Sequence, residues 1–286
     1  MAPTYLETLS AFTTFLTAYT HTLLYLRALY PSTSFVQSRF HNTPVYHSRH
    51  PLVCEWIRDA VAAVREELLD GTVARIGIVV FSYNSEDKTG SAKIMERYMF
   101  DVSSFPVVEK NERNMEIDWD YNSSDAHDSD ADEERAKKKG KQKLYDANVD
   151  VNLSEQFRAA LISLTSRTSQ LSPLPQDCSF NISMELKDEG DIDPPIKHPQ
   201  PWIPVQPSLQ KTGRKATSRD EDEEEEIESG KRGNREGADL GGAKVTPLRT
   251  VEAGVLRFET WVEEGRAKFE GSEGGSTKGS FASSGD

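Results

Sequence analysis

The sequence predicts an α+β fold, with two or three amphipathic helices packed on a mostly antiparallel sheet. Three observations predict it. Apolar residues recur at helical spacing across 5–30 and 51–71, a β-branched run at 73–83 reads as a central strand, and strand-period alternation returns near the C-terminus.

The first helix is drawn by Tyr5, Leu9, Phe12, Leu16, Tyr19, Leu23, Leu26 and Tyr30, which form one stripe that Pro31 ends by withholding a donor. A second helix opens at Pro51, whose fixed φ suits a first helical position, and it buries Val53, Ile57, Ala60, Val64 and Leu68 before stopping at Gly71. Val73–Tyr83 and Ile94–Val102 form a hairpin across the polar turn 84–90. A third helix carries Leu153, Phe157, Leu161 and Leu164, and Phe180, Ile182, Met184 and Leu186 alternate as a strand with one buried face. A last hairpin joins Lys244–Thr250 to Val255–Val262 near Gly254.

Between these elements the composition shifts. The whole chain of 286 residues carries a net charge of −13, with 36% hydrophobic and 28% charged residues, so part of it cannot belong to a core. Residues from about 109 to 149 hold an acidic run and then Lys137, Lys138, Lys139, Lys141 and Lys143. Residues around 208–242 hold the run Asp220–Glu226, and the tail from Gly271 is Gly/Ser-rich. These segments are expected to be disordered inserts and a disordered tail around one folded unit.

Composition also limits the chemistry. P-loop, GxGxxG, GxSxG and HExxH motifs are all missing, so no catalytic residue is assigned. His41, His47 and His50 cluster ahead of the second helix, but no cysteine or carboxylate stands at metal spacing from them, so surface or core roles are expected and no metal or cofactor. The carboxylates of 118–132 lack the glycine and terminal glutamate of an EF-hand loop and read as solvated. Cys54 and Cys178 lie far apart and read as thiols. The N-terminal stretch lacks a cationic leader and is broken by Glu7, His21 and threonines, so neither a signal peptide nor a membrane span is expected. The lysine run reads equally as an import signal or a solvated linker, and the acidic chain is not expected to bind nucleic acid tightly.

Four segments, in this order, resemble the HORMA family and its branch of DNA polymerase zeta accessory subunits: Leu24–Pro31 (LYLRALYP), His50–Asp59 (HPLVCEWIRD), Pro201–Ile203 (PWI) and Pro247–Glu264 (PLRTVEAGVLRFETWVEE). The resemblance covers most of 5–106, 151–206 and 243–270. It implies a HORMA fold over 1–270, three helices on an antiparallel sheet, with a safety belt over about 188–262 that locks a partner peptide against the sheet. It implies a nuclear, non-catalytic adaptor in translesion synthesis. Its partners would be the catalytic subunit of polymerase zeta, the C-terminal domain of a scaffold translesion polymerase, and a second HORMA protein.

The same resemblance assigns Trp56, Trp202 and Ile203 to the peptide channel, with Pro204 standing where the family has an aliphatic contact. It assigns Arg158 to HORMA dimerisation. Val245, Glu259 and Trp261 fall to the second partner, with glutamate in place of an amide and tryptophan in place of a tyrosine. By alternation Trp261 shares the outward face of its strand with Val255, Arg257 and Glu259, while Leu256, Phe258 and Val262 face the core. A spindle-checkpoint HORMA protein binding a mitotic regulator is the nearest alternative. An acidic histone or nucleic-acid chaperone acting through the inserts is the alternative of another class, which deletion of both inserts would separate.

Overall fold

A computed structural model describes residues 3–83, 92–117, 152–187, 202, 244–253 and 255–270. Within them the chain runs α1 (Tyr5–Leu26), β1 (Phe35–Phe40), β2 (Thr43–Ser48), α2 (Pro51–Asp70), β3 (Val73–Tyr83), β4 (Ala92–Asp101), α3 (152–168), β5 (Cys178–Leu186), β6 (Lys244–Ala253), β7 (Leu256–Glu264) and α4 (Ala267–Glu270). Three helices were expected; α4 is a fourth, of a single turn.

Helix α1 starts at a reciprocal cap, in which the Thr4 hydroxyl accepts from the Glu7 amide and the Glu7 carboxylate accepts from the Thr4 amide. It stops at Leu26 and does not run on to Pro31. Ala28 adopts φ 52, and the amides of Leu29 and Ala28 turn back to the carbonyls of Leu24 and Tyr25, closing a Schellman motif before the proline is reached. Helix α2 starts at Pro51 and stops at Gly71 as expected, with Gly71 at φ 74.

The main sheet has five antiparallel strands in the order β5-β3-β4-β7-β6. Its inner face presents Ile76, Ile78, Val80, Tyr98, Phe100, Phe258 and Val262 to α1 and α3, all fully buried. Phe15 of α1 stacks on Phe157 of α3 at 4.5 Å and 9°, and Phe12 meets Phe258 edge-on at 5.2 Å. Each such pair contributes about 0.5–1.5 kcal/mol beyond its buried area. In β5 only Ile182 is fully buried, so the expected apolar face is half-covered, as an edge strand dictates.

The β1–β2 hairpin was not foreseen. Its turn residues His41 and Asn42 sit at φ 46 and 60, and it packs on α1, where Tyr25 stacks on Tyr46 at 3.5 Å. The start of the expected first insert is also folded. The Arg113 guanidinium donates to the carbonyls of Leu69 and Val108, and the Arg113 carbonyl accepts from the Leu6 amide. Residues 118–149, the second insert and the tail from Gly271 lie outside the described residues.

The C-terminal hairpin is tied down by charge as well as by its apolar face. Lys268 of α4 donates to Glu96 of β4 and Glu264 of β7, each at 2.5 Å, and Arg27 holds Glu96 with a two-pronged bond at 2.7 and 3.0 Å. Tyr98 adds a hydroxyl bond to Glu96 at 2.8 Å.

Candidate functional site

Two strands border the main sheet, and they are finished differently. Strand β6 carries Lys244, Pro247 and a bulge between Pro247 and Arg249, three devices that discourage addition of a further strand. Strand β5 carries neither proline nor lysine, and its register against β3 is regular from Cys178 to Glu185. Among the described residues no strand pairs with its outer edge, which offers a ladder of backbone donors and acceptors, although the Ile182 amide donates to the Asn181 side chain at 2.8 Å.

Aromatic rings wall this edge. Trp56 projects from α2 onto Phe180 of β5, centroids 5.0 Å apart and planes at 82°, and Tyr30 meets the same ring edge-on at 6.4 Å. Trp56 is half-buried, and Leu52, one turn earlier, is 68% exposed. Trp202 is half-buried and packs against the hydrophobic core. Sequence reasoning missed Phe180 and Tyr30 as wall residues, because their contact joins the turn after α1, helix α2 and strand β5, and no local pattern encodes it. Ile203 lies outside the described residues.

The outer face of the β6–β7 hairpin brings Val245, Glu259 and Trp261 onto one side of the sheet, since Val245 pairs with Glu263 and Pro247 with Trp261. Glu259 is exposed and lies 3.8 Å from Arg257. Trp261 departs from expectation. The face is the expected one, but the ring is only 7% exposed. Met99 stands opposite it on β4, the Arg75 guanidinium lies 5.9 Å from its ring centre, and its indole N–H donates to Glu263 at 2.9 Å. A tryptophan so covered is a buttress of the surface, not a free anchor. Arg158 is exposed on α3, one turn before Ile162, which is 49% exposed.

The histidines also differ from expectation. His41 and His50 stay apart, but His47 stacks on His21 of α1 at 4.2 Å, and Cys54 of α2 joins them. Burial, and then the charge of His47, push the His21 imidazole down to about 4. Both cysteines are free thiols, and burial pushes Cys178 up to about 11. Among the described residues no helix is long and apolar enough to cross a membrane.

The HORMA domain family model matches residues 8–232. The chain is 28% identical over 174 residues to the DNA polymerase zeta processivity subunit of Schizosaccharomyces pombe, covering 61% of this chain and 66% of that protein. It is 23% identical over 187 residues to the Arabidopsis thaliana protein of the same name, covering 64% and 65%. The match thus spans just under two thirds of these relatives. The human mitotic spindle assembly checkpoint protein MAD2B is 28% identical over 94 residues, 33% of this chain and 41% of that one. Among solved structures, a chain of the mitotic checkpoint complex superposes with a TM-score of 0.55 at 14% identity, covering 90% of this chain and 97% of that one. Caenorhabditis elegans HTP-2 bound to the HIM-3 closure motif gives 0.50 at 8% identity, covering 94% and 93%. At these identities the structures speak for the fold alone.

Proposed function

This chain belongs to the HORMA domain family, and we propose that it is the non-catalytic accessory subunit of a DNA polymerase zeta, trapping a peptide of the catalytic subunit in the nucleus during translesion synthesis. The observation that carries the reading is the edge of β5 beside Trp56 and Phe180, unpaired among the described residues. A peptide added there completes backbone hydrogen bonds that β5 cannot make alone, and the aromatic wall reads its side chains. The chain leaving β5 at Leu186 runs through the proline-rich stretch, with Trp202 against the core, before it returns as β6. Segment 188–262 is the safety belt of this reading, with Trp202 and Ile203 as its peptide-facing residues.

A second surface, Val245 and Glu259 supported from beneath by Trp261, docks the C-terminal domain of a scaffold translesion polymerase. Arg158 and Ile162 on α3 form the face for a second HORMA protein. The name MAD2B among the relatives favours one alternative, a checkpoint adaptor holding a mitotic regulator in the same channel.

The test is calorimetric titration of a proline-containing segment of the polymerase zeta catalytic subunit encoded in the same genome. The wild-type protein is expected to bind it, and Trp202→Ala to weaken binding about 30-fold, the equivalent of roughly 2 kcal/mol for one aromatic anchor. Absence of binding by the wild-type protein refutes the polymerase reading. Unchanged affinity in a folded Trp202→Ala protein refutes the role given to Trp202.

A further inference from the structure

Away from the sheet edge, nitrogen and sulfur donors converge from three elements. His21 lies on α1 with 1% exposure, His47 on β2 and Cys54 in the first turns of α2, and one ligand atom of each lies within 4.8 Å of the other two. No hydrogen bond joins the three to one another. All three turn to the backbone of Ser48. Its carbonyl accepts from His47 Nδ1 at 2.7 Å and from the Cys54 thiol at 3.1 Å, and its amide reaches His21 Nδ1 at a long 3.4 Å. A carbonyl oxygen can only accept, so His47 Nδ1 carries the proton and Nε2 keeps a free lone pair. A backbone carbonyl fixing that tautomer is the usual outer support of a metal-bound histidine.

We propose that His21, His47 and Cys54 form a zinc site that pins α1 and the β1–β2 hairpin to the start of α2. Two imidazoles and a thiolate are a donor set that zinc prefers over magnesium or calcium. Zinc–nitrogen bonds of about 2.0–2.1 Å and a zinc–sulfur bond of about 2.3 Å place tetrahedral donors roughly 3.3–3.7 Å apart. From separations of at most 4.8 Å the donors close by up to about 1.1–1.5 Å, which side-chain rotation supplies. The weak Ser48–His21 contact yields to the metal. The Cys54 thiol releases its proton as the sulfur–zinc bond forms, and a water molecule takes the fourth position. Cys54 lies two residues before Trp56, so the bound ion would also stiffen the helix that carries the channel wall.

The test uses Co²⁺ as a coloured substitute for Zn²⁺, added to the full-length protein and followed by absorption. One Co²⁺ per chain is expected, with intense tetrahedral d–d bands and a thiolate-to-cobalt charge-transfer band, all removed by Zn²⁺. Cys54→Ser should abolish the charge-transfer band and weaken binding by more than about 100-fold, above the loss seen for outer-shell partners. His47→Gln, a change at an exposed strand position, should weaken binding comparably while circular dichroism stays unchanged, and it decides the matter if Cys54→Ser does not fold. Cys178→Ser should alter nothing. A weak octahedral spectrum, as the acidic inserts would give, overturns the proposal. So does a charge-transfer band that survives Cys54→Ser or vanishes with Cys178→Ser.

Discussion

Replacing Lys268 with methionine removes one charge from a buried set while keeping the length of its stem. The set contains two cations, Arg27 and Lys268, and two carboxylates, Glu96 and Glu264, whose side chains are 7%, 0%, 0% and 0% exposed. It is therefore neutral, and Lys268→Met leaves one excess negative charge away from water. The damage falls unequally. Glu96 keeps Arg27 and the Tyr98 hydroxyl, whereas among the described residues Glu264 keeps only Lys244, at 3.7 Å and 66% exposed. Removing one partner from a buried pair costs about 3–5 kcal/mol, because the other charge stays desolvated. At about 2–4 °C per kcal/mol for a domain of this size, Tm should fall by roughly 6–20 °C. Urea unfolding and calorimetry on Lys268→Met measure the loss. The double variant Lys268→Met/Glu264→Gln should recover about 1–2 kcal/mol, since an amide costs less to bury than an unpaired carboxylate. A loss below about 1 kcal/mol, or a double variant no better than the single one, would refute the charge argument and leave packing of the lysine stem as the cause.

Arg113→Ala should cost about 1–3 kcal/mol, since the carbonyls of Leu69 and Val108 lose their donor, while deleting residues 118–146 should move Tm by under about 2 °C; chemical and thermal denaturation check both. Trp261→Ala should destabilise the protein by about 3–5 kcal/mol, as a buried aromatic does, whereas Glu259→Lys at its exposed site should leave stability within about 0.5 kcal/mol and reduce only second-partner docking in a paired binding assay. With burial and then Glu96 holding the Cys178 thiol up to about 11 from 9.0, its thiolate at pH 8 is about 100-fold scarcer than in an ordinary thiol. Because a more basic thiolate is also the better nucleophile, iodoacetamide labelling of Cys178 in a Cys54→Ser background should be slower by about 10-fold, and labelling at the rate of a free thiol would show the group to be solvated.

Elements that bury one face along their own length were legible in the chain. The stripe from Tyr5 to Leu23 and the alternation of Leu256, Phe258 and Val262 needed only local spacing, and both lie buried as read, while Leu26 at the helix end is half-buried. The β1–β2 hairpin escaped because its turn is His41–Asn42, not an Asn-Gly pair, and because Pro44 lies within a strand, where proline argues against pairing. Alternation told which way Trp261 points but not what lies over it, since Met99 and Arg75 arrive from β4 and β3. The same limit hid the partners of His47. Spacing from His41 and His50 suggested a local cluster, yet its neighbours come from α1 and α2.

Strand order gives the proposed peptide trap its physical logic. Strands β5 and β6 follow one another in the described chain but lie at opposite borders of the sheet. Four strand spacings of about 4.8 Å separate them, and Lys244 is level with Phe180, six residues of about 3.3 Å each short of Leu186, so residues 187–243 connect points roughly 28 Å apart. One end of that connection starts at the open border, where a peptide would be added. The other is anchored by the Leu256–Phe258–Val262 face and by the Lys268 ion cluster. A peptide on β5 would therefore extend the sheet to six strands without displacing the hairpin. In that arrangement affinity for the peptide and stability of the hairpin are separable quantities, set by Trp56, Phe180 and Trp202 on one side and by Glu96, Glu264 and Lys268 on the other.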